Sequence, residues 1–560
     1  ASGMAAFADY DRDGWLDVLV QTNLLDARAH PDGQPDRLFR NRGDGTFEEV
    51  TGRAGLSGRT QGHAAIWWDY DEDGWPDLYL ANDFAPSDQL YRNRGDGTFE
   101  DVIDRVVPRQ PHSAMGADLG DVNNDGHIDF FVADMAATTH EKDQRGMAKI
   151  RTLLNTQRER AGGAAQYMQN ALYLNTGRGR VREAAQWAGV AATDWTWSVR
   201  LEDLDNDGWL DLHVTNGMVR ELHNADLVQR LSGFESQAEG IAAEKSSPVL
   251  AEANLAYRNR GDGRFEAVGG AWGLDEVGVS FGAAFGDLDG DGDLDLIYAN
   301  YDAPSTVLRN DAPAGGRLVV ALRGTESNRF GVGAVVRIRT AAGTQVRPLV
   351  LARGYLSQSE PTLHFGLGEA KEVEELTVTW PSGHVQRFTA LAINQRLTIT
   401  EPKGPAPKTS PPTAAPAYTE QGSALGLALT VPEETTPERE TQALVPFRFD
   451  RRGPSLAVSD LNGDGRYDLV FGGTRQSPLT TTTGLTLPST GADDGPILLF
   501  DADGDGDPDL LRTGLSVSAS APSSPLIYRN DQGRFIATDA LPSLPQSTGA
   551  AVAADFDRDG

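Results

Sequence analysis

The sequence predicts an all-β protein assembled from propeller blades, and three observations carry that reading. A nine-residue acidic loop recurs along the chain, and a strand-like apolar stretch stands on each side of the copies. Within a run of repeats the loops are unevenly spaced, about 40 to 85 residues apart, which suits blades carrying insertions better than a tightly stacked solenoid.

The loops follow the pattern D-x-[DN]-x-D-G-x-x-D. In chain order, positions 1, 3, 5 and 9 are Asp9, Asp11, Asp13 and Asp17, then Asp69, Asp71, Asp73 and Asp77, then Asp121, Asn123, Asp125 and Asp129. The fourth and fifth copies supply Asp203, Asp205, Asp207 and Asp211, and Asp287, Asp289, Asp291 and Asp295. Two more stand near the far end, with Asp460, Asn462, Asp464 and Asp468, and Asp501, Asp503, Asp505 and Asp509. An eighth, reaching the last residue, offers Asp555, Asp557 and Asp559.

Strands are expected on both flanks. AAIWW (64–68) and FGAAFG (281–286) precede loops, and DLYLAN (77–82) and DLIYAN (295–300) follow them, as alternating or short apolar runs. Next comes a hairpin. RNRGDGTFE occurs at 40–48 and 92–100, and RNRGDGRFE at 258–266. The embedded Arg-Gly-Asp matches an adhesion tripeptide, but Leu174-Asn175-Thr176-Gly177 and Arg529-Asn530-Asp531-Gln532-Gly533 at equivalent places lack it. What repeats is Asn, a Gly-bearing turn and usually Phe, the makings of a tight hairpin.

Two blades are enlarged, by helical insertions at 136–168 and 218–254; in the first, Met147, Ile150 and Leu154 share a helical face. Residues 313–401 contain no acidic loop and read as a small β module. The stretch 402–417 is a Pro- and Ala-rich linker, and 418–560 begins a second propeller.

The loop pattern points to a hard cation. Side chains at positions 1, 3 and 5 converge, Gly at 6 permits a sharp turn, position 7 offers a carbonyl, and Asp at 9 closes the shell. Ca²⁺ takes six to eight oxygen ligands in this manner, whereas Mg²⁺ prefers to keep waters and softer metals want His or Cys. An EF-hand would place Glu at position 12 between helices; here the ninth residue opens a strand. Such ions are expected to be structural staples.

Composition agrees. Asp and Glu number 81 against 50 Lys and Arg, for a net charge of −31, which disfavours a nucleic-acid partner. There is no cysteine, hence no disulfide, thiolate metal site or thiol nucleophile. No apolar run approaches the ~20 residues of a membrane-spanning helix.

Acidic loops between strands resemble the FG-GAP and VCBS repeats of seven-bladed, integrin α-like propellers, over about residues 1–312 and again from about 440. Phe281-Gly282 followed by Ala283-Ala284 is the nearest echo of an FG and GAP pair. Residues 313–401 resemble the ASPIC/UnbV module through Asn328-Arg329-Phe330-Gly331-Val332-Gly333-Ala334, Gly354-Tyr355-Leu356-Ser357-Gln358-Ser359, Leu363-His364-Phe365-Gly366-Leu367-Gly368 and Trp380-Pro381-Ser382-Gly383. The combination is similar to the cartilage acidic protein family and its bacterial relatives. That resemblance implies an extracellular, cell-surface or periplasmic calcium-binding protein with no established reaction. Five loops ahead of the module leave the first propeller short, which implies further blades upstream of Ala1.

No catalytic set stands out. H-E-x-x-H and phosphate-loop motifs are absent. His63 and His112 precede inner strands and could face the propeller axis, and Trp195 and Trp197 would share one strand face, where they could stack on a sugar or pack the core. The expectation is therefore a calcium-bearing scaffold that binds or adheres to a protein or carbohydrate partner at a surface or matrix, without enzymatic activity. The alternative is an enzyme acting on extracellular polysaccharide.

Overall fold

The computed structural model describes residues 2–23, 34–56, 59–83, 86–146, 165–221, 224–231, 237–311, 315–406, 455–474, 477–487, 493–515, 525–538 and 541. The chain divides into two compact units, Ala1–Ser410 and Pro411–Gly560. The described residues are nearly all β, with a few short helices.

In the first unit, successive antiparallel sheets form blades. Blade 1 is Ser2–Ala8, Asp17–Thr22, Arg37–Asn41 and Phe47–Glu49, and blade 2 is Gly62–Trp68, Asp77–Asn82, Gln89–Asn93 and Phe99–Asp101. Blade 3 is Ala117–Gly120, Asp129–Val132, Ala171–Asn175 and Val181–Glu183. Blade 4 is Asp194–Glu202, Asp211–Asn216, Leu255–Asn259 and Phe265–Ala267, with Met135–Ala136 added at its inner edge. Ser280–Gly286, Asp295–Asn300 and Thr306–Leu308 make blade 5. First strands of neighbouring blades pack side by side, as propeller geometry requires. Between blades lies an aromatic core: Trp68 meets Phe130 at 5.1 Å and Phe130 meets Tyr173 at 4.5 Å.

Each acidic loop joins the first and second strands of its blade, so its ninth Asp opens strand two. Because neighbouring strands are antiparallel, the hairpins between strands three and four lie at that same end. The connections between strands two and three lie at the other end. The expected insertions fall in these last connections. Helices Ala225–Leu231 and Gln237–Lys245 occupy the second; the first holds helix His140–Arg145, whereas Met147, Ile150 and Leu154 lie outside the described residues.

The hairpin asparagine locks blade to blade. Asn93 donates through Nδ2 to the Pro76 carbonyl of its own loop at 3.0 Å and to the Tyr10 carbonyl of the preceding blade's loop at 2.9 Å. Its backbone N–H reaches Asp77 Oδ1 at 2.7 Å, and its Oδ1 accepts from the Gly95 N–H at 3.0 Å. Asn175 repeats this with Ile128 and Tyr70, Asn259 with Leu210 and Val122, and Asn310 reaches back to Leu204. The contacted residue is always at loop position 2. Its own N–H is held by the ninth Asp of its loop, as in Tyr10 to Asp17 Oδ2 at 3.2 Å and Tyr70 to Asp77 Oδ2 at 2.9 Å.

Residues 316–400 form a β-sandwich. Gly316–Arg323 pairs with Thr362–Gly368 and, in parallel, with Gln395–Thr400, and the second sheet runs Gly343–Pro348, Val335–Thr340, Glu372–Thr379, Val385–Ala392. Leu318, Val336, Phe365, Leu376 and Trp380 fill the space between the sheets. This sandwich shares one compact unit with the blades and docks on their loop-bearing end. Arg12 donates to the Pro381 carbonyl at 2.6 Å, Arg337 to the Gly126 carbonyl at 3.2 Å, and Gly368 N–H to the Asn206 carbonyl at 2.8 Å.

From the sandwich, residues 352–359 run along the first strands of blades 3, 4 and 5 and form a plug against them. Arg353 binds Asp118 through Nε at 2.5 Å and Nη2 at 2.9 Å, and Glu202 through Nη1 at 2.7 Å. Gly354 N–H donates to the Ala117 carbonyl at 2.7 Å, so close to blade 4 that a Cβ would stand 2.4 Å from Ser198 Oγ. Ser357 and Ser359 accept from the Ala283 and Phe285 N–H groups, each at 3.1 Å. Tyr355 stacks on His63 at 5.6 Å and touches Trp197 at 5.0 Å.

The second unit repeats the design. Leu456–Ser459, Asp468–Phe471, Leu479–Thr481 and Thr486–Leu487 form one sheet; Asp493–Phe500, Asp509–Leu515, Leu526–Asp531 and Arg534–Thr538 form the next. Asn530 clasps Pro508 and Leu461 as Asn93 clasps Pro76 and Tyr10. Residues 407–454, which include most of the expected linker, are outside the described residues, as are Asp555, Asp557 and Asp559.

Asn93 is fully buried and uses all its polar atoms, so Asn93→Ala orphans two carbonyls and an N–H and is expected to cost about 3 kcal/mol in chemical denaturation. Among the described residues Asn41 donates through Nδ2 only to Leu16, so Asn41→Ala should cost measurably less; equal losses would contradict the interblade role.

Candidate metal-binding loops

All seven described loops share one conformation. Position 4 is left-handed in each, with φ of 57° at Arg12, 59° at Glu72, 52° at Asn124 and 59° at Asn206, and Gly290, Gly463 and Gly504 at the same place. Asn or Gly at this place in five of the seven is the residue choice that the left-handed region favours. The N–H of position 7 donates to the carboxylate of position 5 in every copy, from Trp15 to Asp13 at 3.0 Å through Asp507 to Asp505 at 3.0 Å. Gly14, Gly74, Gly126, Gly208, Gly465 and Gly506 each donate N–H to Oδ2 of the Asp at position 1.

The expected ligands converge. Carboxylate oxygens within 4.8 Å of one another come from Asp9, Asp11 and Asp13, from Asp69, Asp71 and Asp77, from Asp203, Asp205 and Asp211, from Asp287, Asp289 and Asp291, and from Asp501, Asp503 and Asp509. In the remaining two loops Asn123 and Asn462 donate to Asp125 and Asp464 at 3.0 and 3.2 Å. The ninth Asp has a second duty beyond that expected: Asp17, Asp77, Asp129, Asp211, Asp295 and Asp509 each accept two backbone N–H groups, one from position 2 and one from the hairpin Asn. Asp468 accepts from Leu461 N–H and Thr482 Oγ1.

Electrostatically the loops are strained. Burial first, and then the Asp13 and Asp11 carboxylates, push Asp9 up to about 7. Asp69 and Asp203 are pushed up to about 7 and Asp121 to about 6, burial leading in each. Asp17 rises to about 8, and Asp77, Asp129 and Asp211 rise well above the usual carboxylate range, again through burial. Buried like charges held this close favour a bound counter-cation over ionised isolation. Asp9 Oδ1, Asp11 Oδ1, Asp71 Oδ1 and Asp287 Oδ1 are buried and accept no hydrogen bond among the described residues. An all-oxygen donor set with orphaned carboxylate oxygens fits Ca²⁺.

Loops also touch each other through position 4. Arg12 donates to the Gly74 carbonyl at 3.1 Å, Glu72 meets His127 Nδ1 at 2.5 Å, Asn124 donates to the Gly208 carbonyl at 3.1 Å, and Asn206 to Asp293 Oδ1 at 3.0 Å.

The other candidate residues have structural surroundings. His63 is buried, pushed down to about 4 by that burial, 3.0 Å from Asn23 Nδ2 and stacked on the plug. His112 lies buried beside Ser113, with its ring Nδ1 3.1 Å from Ser113 Oγ. Trp197 donates to the Gly217 carbonyl at 2.5 Å and packs on Phe281 at 4.9 Å; Trp195 lines a cavity of about 60 Å³ with Met135, Lys142, Asp194, Met218 and Glu252.

The Arg-Gly-Asp copies are turn parts. Asp44 and Asp96 accept from the N–H and Oγ1 of Thr46 and Thr98, closing the hairpin on themselves. A Cβ on Gly43, Gly95 or Gly261 would come within 2.8, 2.7 or 2.9 Å of the position 7 tryptophan of the adjoining loop.

Three comparisons with known proteins bear on these features. The FG-GAP-like repeat family matches residues 9–80, 69–132, 163–214 and 247–298, each span containing a described loop, and the ASPIC and UnbV family matches 324–406. Cartilage acidic protein 1 of Homo sapiens is 26% identical over 376 residues, covering 66% of this chain and 48% of that protein. The Mus musculus protein is 26% identical over 368 residues, covering 63% and 48%. The chain thus spans about half the length of these curated relatives. Among solved structures, an Agrocybe aegerita lectin that recognises non-reducing terminal N-acetylglucosamine aligns over 55% of this chain and 66% of its own at 16% identity, with a TM-score of 0.27, too low to support an argument.

Gly95 and Gly97 separate backbone strain from packing. Both have positive φ, but a Cβ at Gly97 meets nothing within 4 Å. Gly97→Ala should cost about 1 kcal/mol and Gly95→Ala at least about 2 kcal/mol, read from denaturation midpoints; equal effects would contradict packing of the tripeptide glycine on Trp75.

Proposed function

With FG-GAP-like repeats and an ASPIC and UnbV domain in one chain as the premise, we propose that the protein is an exported or extracellular calcium-binding scaffold that binds a protein or carbohydrate partner. The observation carrying the calcium reading is the set of buried carboxylate oxygens without hydrogen-bond partners, in loops of one repeated geometry. Positions 1, 3 and 5 would hold the ion, with the ninth Asp completing the set. Bound Ca²⁺ supplies charge neutralisation and cross-links the two strands that flank it.

Binding is assigned to the end opposite the loops. The sandwich contacts the loop-bearing end through Arg12, Arg337 and Gly368, whereas helices His140–Arg145, Ala225–Leu231 and Gln237–Lys245 lie in connections at the other end. Among the described residues no helix is long and apolar enough to cross a membrane. The reading includes no catalysis; Asp118, Arg200, Glu202 and Arg353, a charged cluster at the inner strands, are engaged with one another in ion pairs.

Removing calcium with EGTA should lower the melting temperature by at least about 10 °C relative to millimolar Ca²⁺; an unchanged melt would sink the metal reading. For the partner, a glycan array and cell-attachment assay should give saturable binding, and Asp44→Glu, Asp96→Glu and Asp262→Glu together should leave attachment unchanged. Polysaccharide turnover abolished by mutating one carboxylate outside the loops would overturn the scaffold assignment.

A further inference from the structure

The loops differ in one respect that follows a rule. Five of the seven described copies have Asp at position 3, and each of these faces an arginine one residue before the hairpin asparagine. Arg40 bridges Asp11 and, at 2.6 Å, Asp13; Arg92 bridges Asp71 at 2.5 Å and Asp73 at 2.8 Å; Arg258 bridges Asp205 at 2.7 Å and Asp207 at 2.8 Å. Arg309 and Arg529 stand 3.9 and 3.8 Å from Asp289 and Asp503. The other two copies have Asn at position 3. The third strand of one places Leu174 where the arginine would be, and the third strand of the other, Leu479–Thr481, has no arginine.

Counting the side chains at positions 1, 3, 5 and 9 together with that arginine, each of the seven loops carries a formal charge of −3. The geometry keeps arginine and cation compatible. In blade 2, Arg92 takes Oδ2 of both Asp71 and Asp73, while Asp71 Oδ1 is buried and accepts no hydrogen bond. In blade 1 the matching oxygen, Asp11 Oδ1, is likewise unpartnered, as is Oδ1 of Asp9, a residue only 4% exposed.

We propose that the third-strand arginine is a built-in counter-cation that sets calcium affinity, holding Asp-type loops at the charge, and so near the affinity, of Asn-type loops. This rests on the calcium reading above and adds to it a class of residue outside the ligand pattern. An arginine that supported the ion by orienting its ligands would strengthen binding; a counter-cation weakens it by repulsion, while relieving the carboxylates before the ion enters. A unit charge added or removed a few ångströms from a divalent ion at the surface changes affinity by on the order of tenfold.

The test converts one loop type into the other in the full chain. Tb³⁺ is the probe, its luminescence excited through Trp75 in a Trp15→Phe, Trp209→Phe background, and Ca²⁺ displaces it. Arg92→Leu should tighten Ca²⁺ binding about tenfold, Asp71→Asn should weaken it about tenfold, and the double substitution should return to within about threefold of the parent. The reverse swap gives a second measurement if Arg92→Leu folds poorly. Asn123→Asp should lower the calcium concentration giving the half-maximal rise in melting temperature, and adding Leu174→Arg should restore it. No saturable, calcium-displaced Tb³⁺ signal in the parent would overturn the calcium reading and the inference together. A normal parent signal with Arg92→Leu unchanged or weaker would overturn the arginine's role alone, as would a double variant as weak as Asp71→Asn.

Discussion

The fold depends on one residue repeated from blade to blade, the one at loop position 2. Its N–H is held by the ninth Asp of its own loop and its carbonyl by the hairpin asparagine of the next blade. Through this residue, loop, hairpin and neighbouring blade become one hydrogen-bonded chain: Tyr10 to Asn93, Tyr70 to Asn175, Val122 to Asn259 and Leu204 to Asn310. Every such bond is buried or nearly so, which makes it costly to leave unmade. A loop that changed shape would release its own second strand and the following blade together.

The proposed metal-binding geometry follows from that constraint. The clasp fixes the ninth Asp, the tight turn fixes positions 1 and 5, and carboxylates are thereby held at a spacing they would not choose. Burial and mutual repulsion raise their affinity for protons, and a bound cation would relieve both. The acidic end also explains the sandwich surface that meets it. Arg317 pairs with Asp293 at 3.2 Å, and buried Arg347 lies in the field of Asp203 and Asp121.

Much of this was legible in the sequence because it is local and repeated. Seven copies of one acidic pattern identified the loops, and the variable residues around Asn and Gly showed that the Arg-Gly-Asp copies were turn chemistry. The partners were not legible. Asn93 and Tyr10 lie 83 residues apart, and Arg353 reaches Asp118 across 235, so nothing local signals either contact. The motif around Gly354 was visible only as a family resemblance; the structure explains its glycine by contact with Ser198 and its serines by the blade 5 N–H groups they accept. His63, expected just ahead of an inner strand, lies within the strand Gly62–Trp68 and stacks on Tyr355 of the plug.

The most direct measurement is an anomalous difference map from crystals grown in calcium, collected where calcium scatters anomalously. We expect one peak inside each described loop, ligated by the side-chain oxygens at positions 1, 3 and 5, with Arg92 still on the outer oxygens of Asp71 and Asp73. Loops without peaks, and with the oxygens at positions 1 and 3 satisfied by water or by the arginine alone, would contradict the claim that calcium completes this fold.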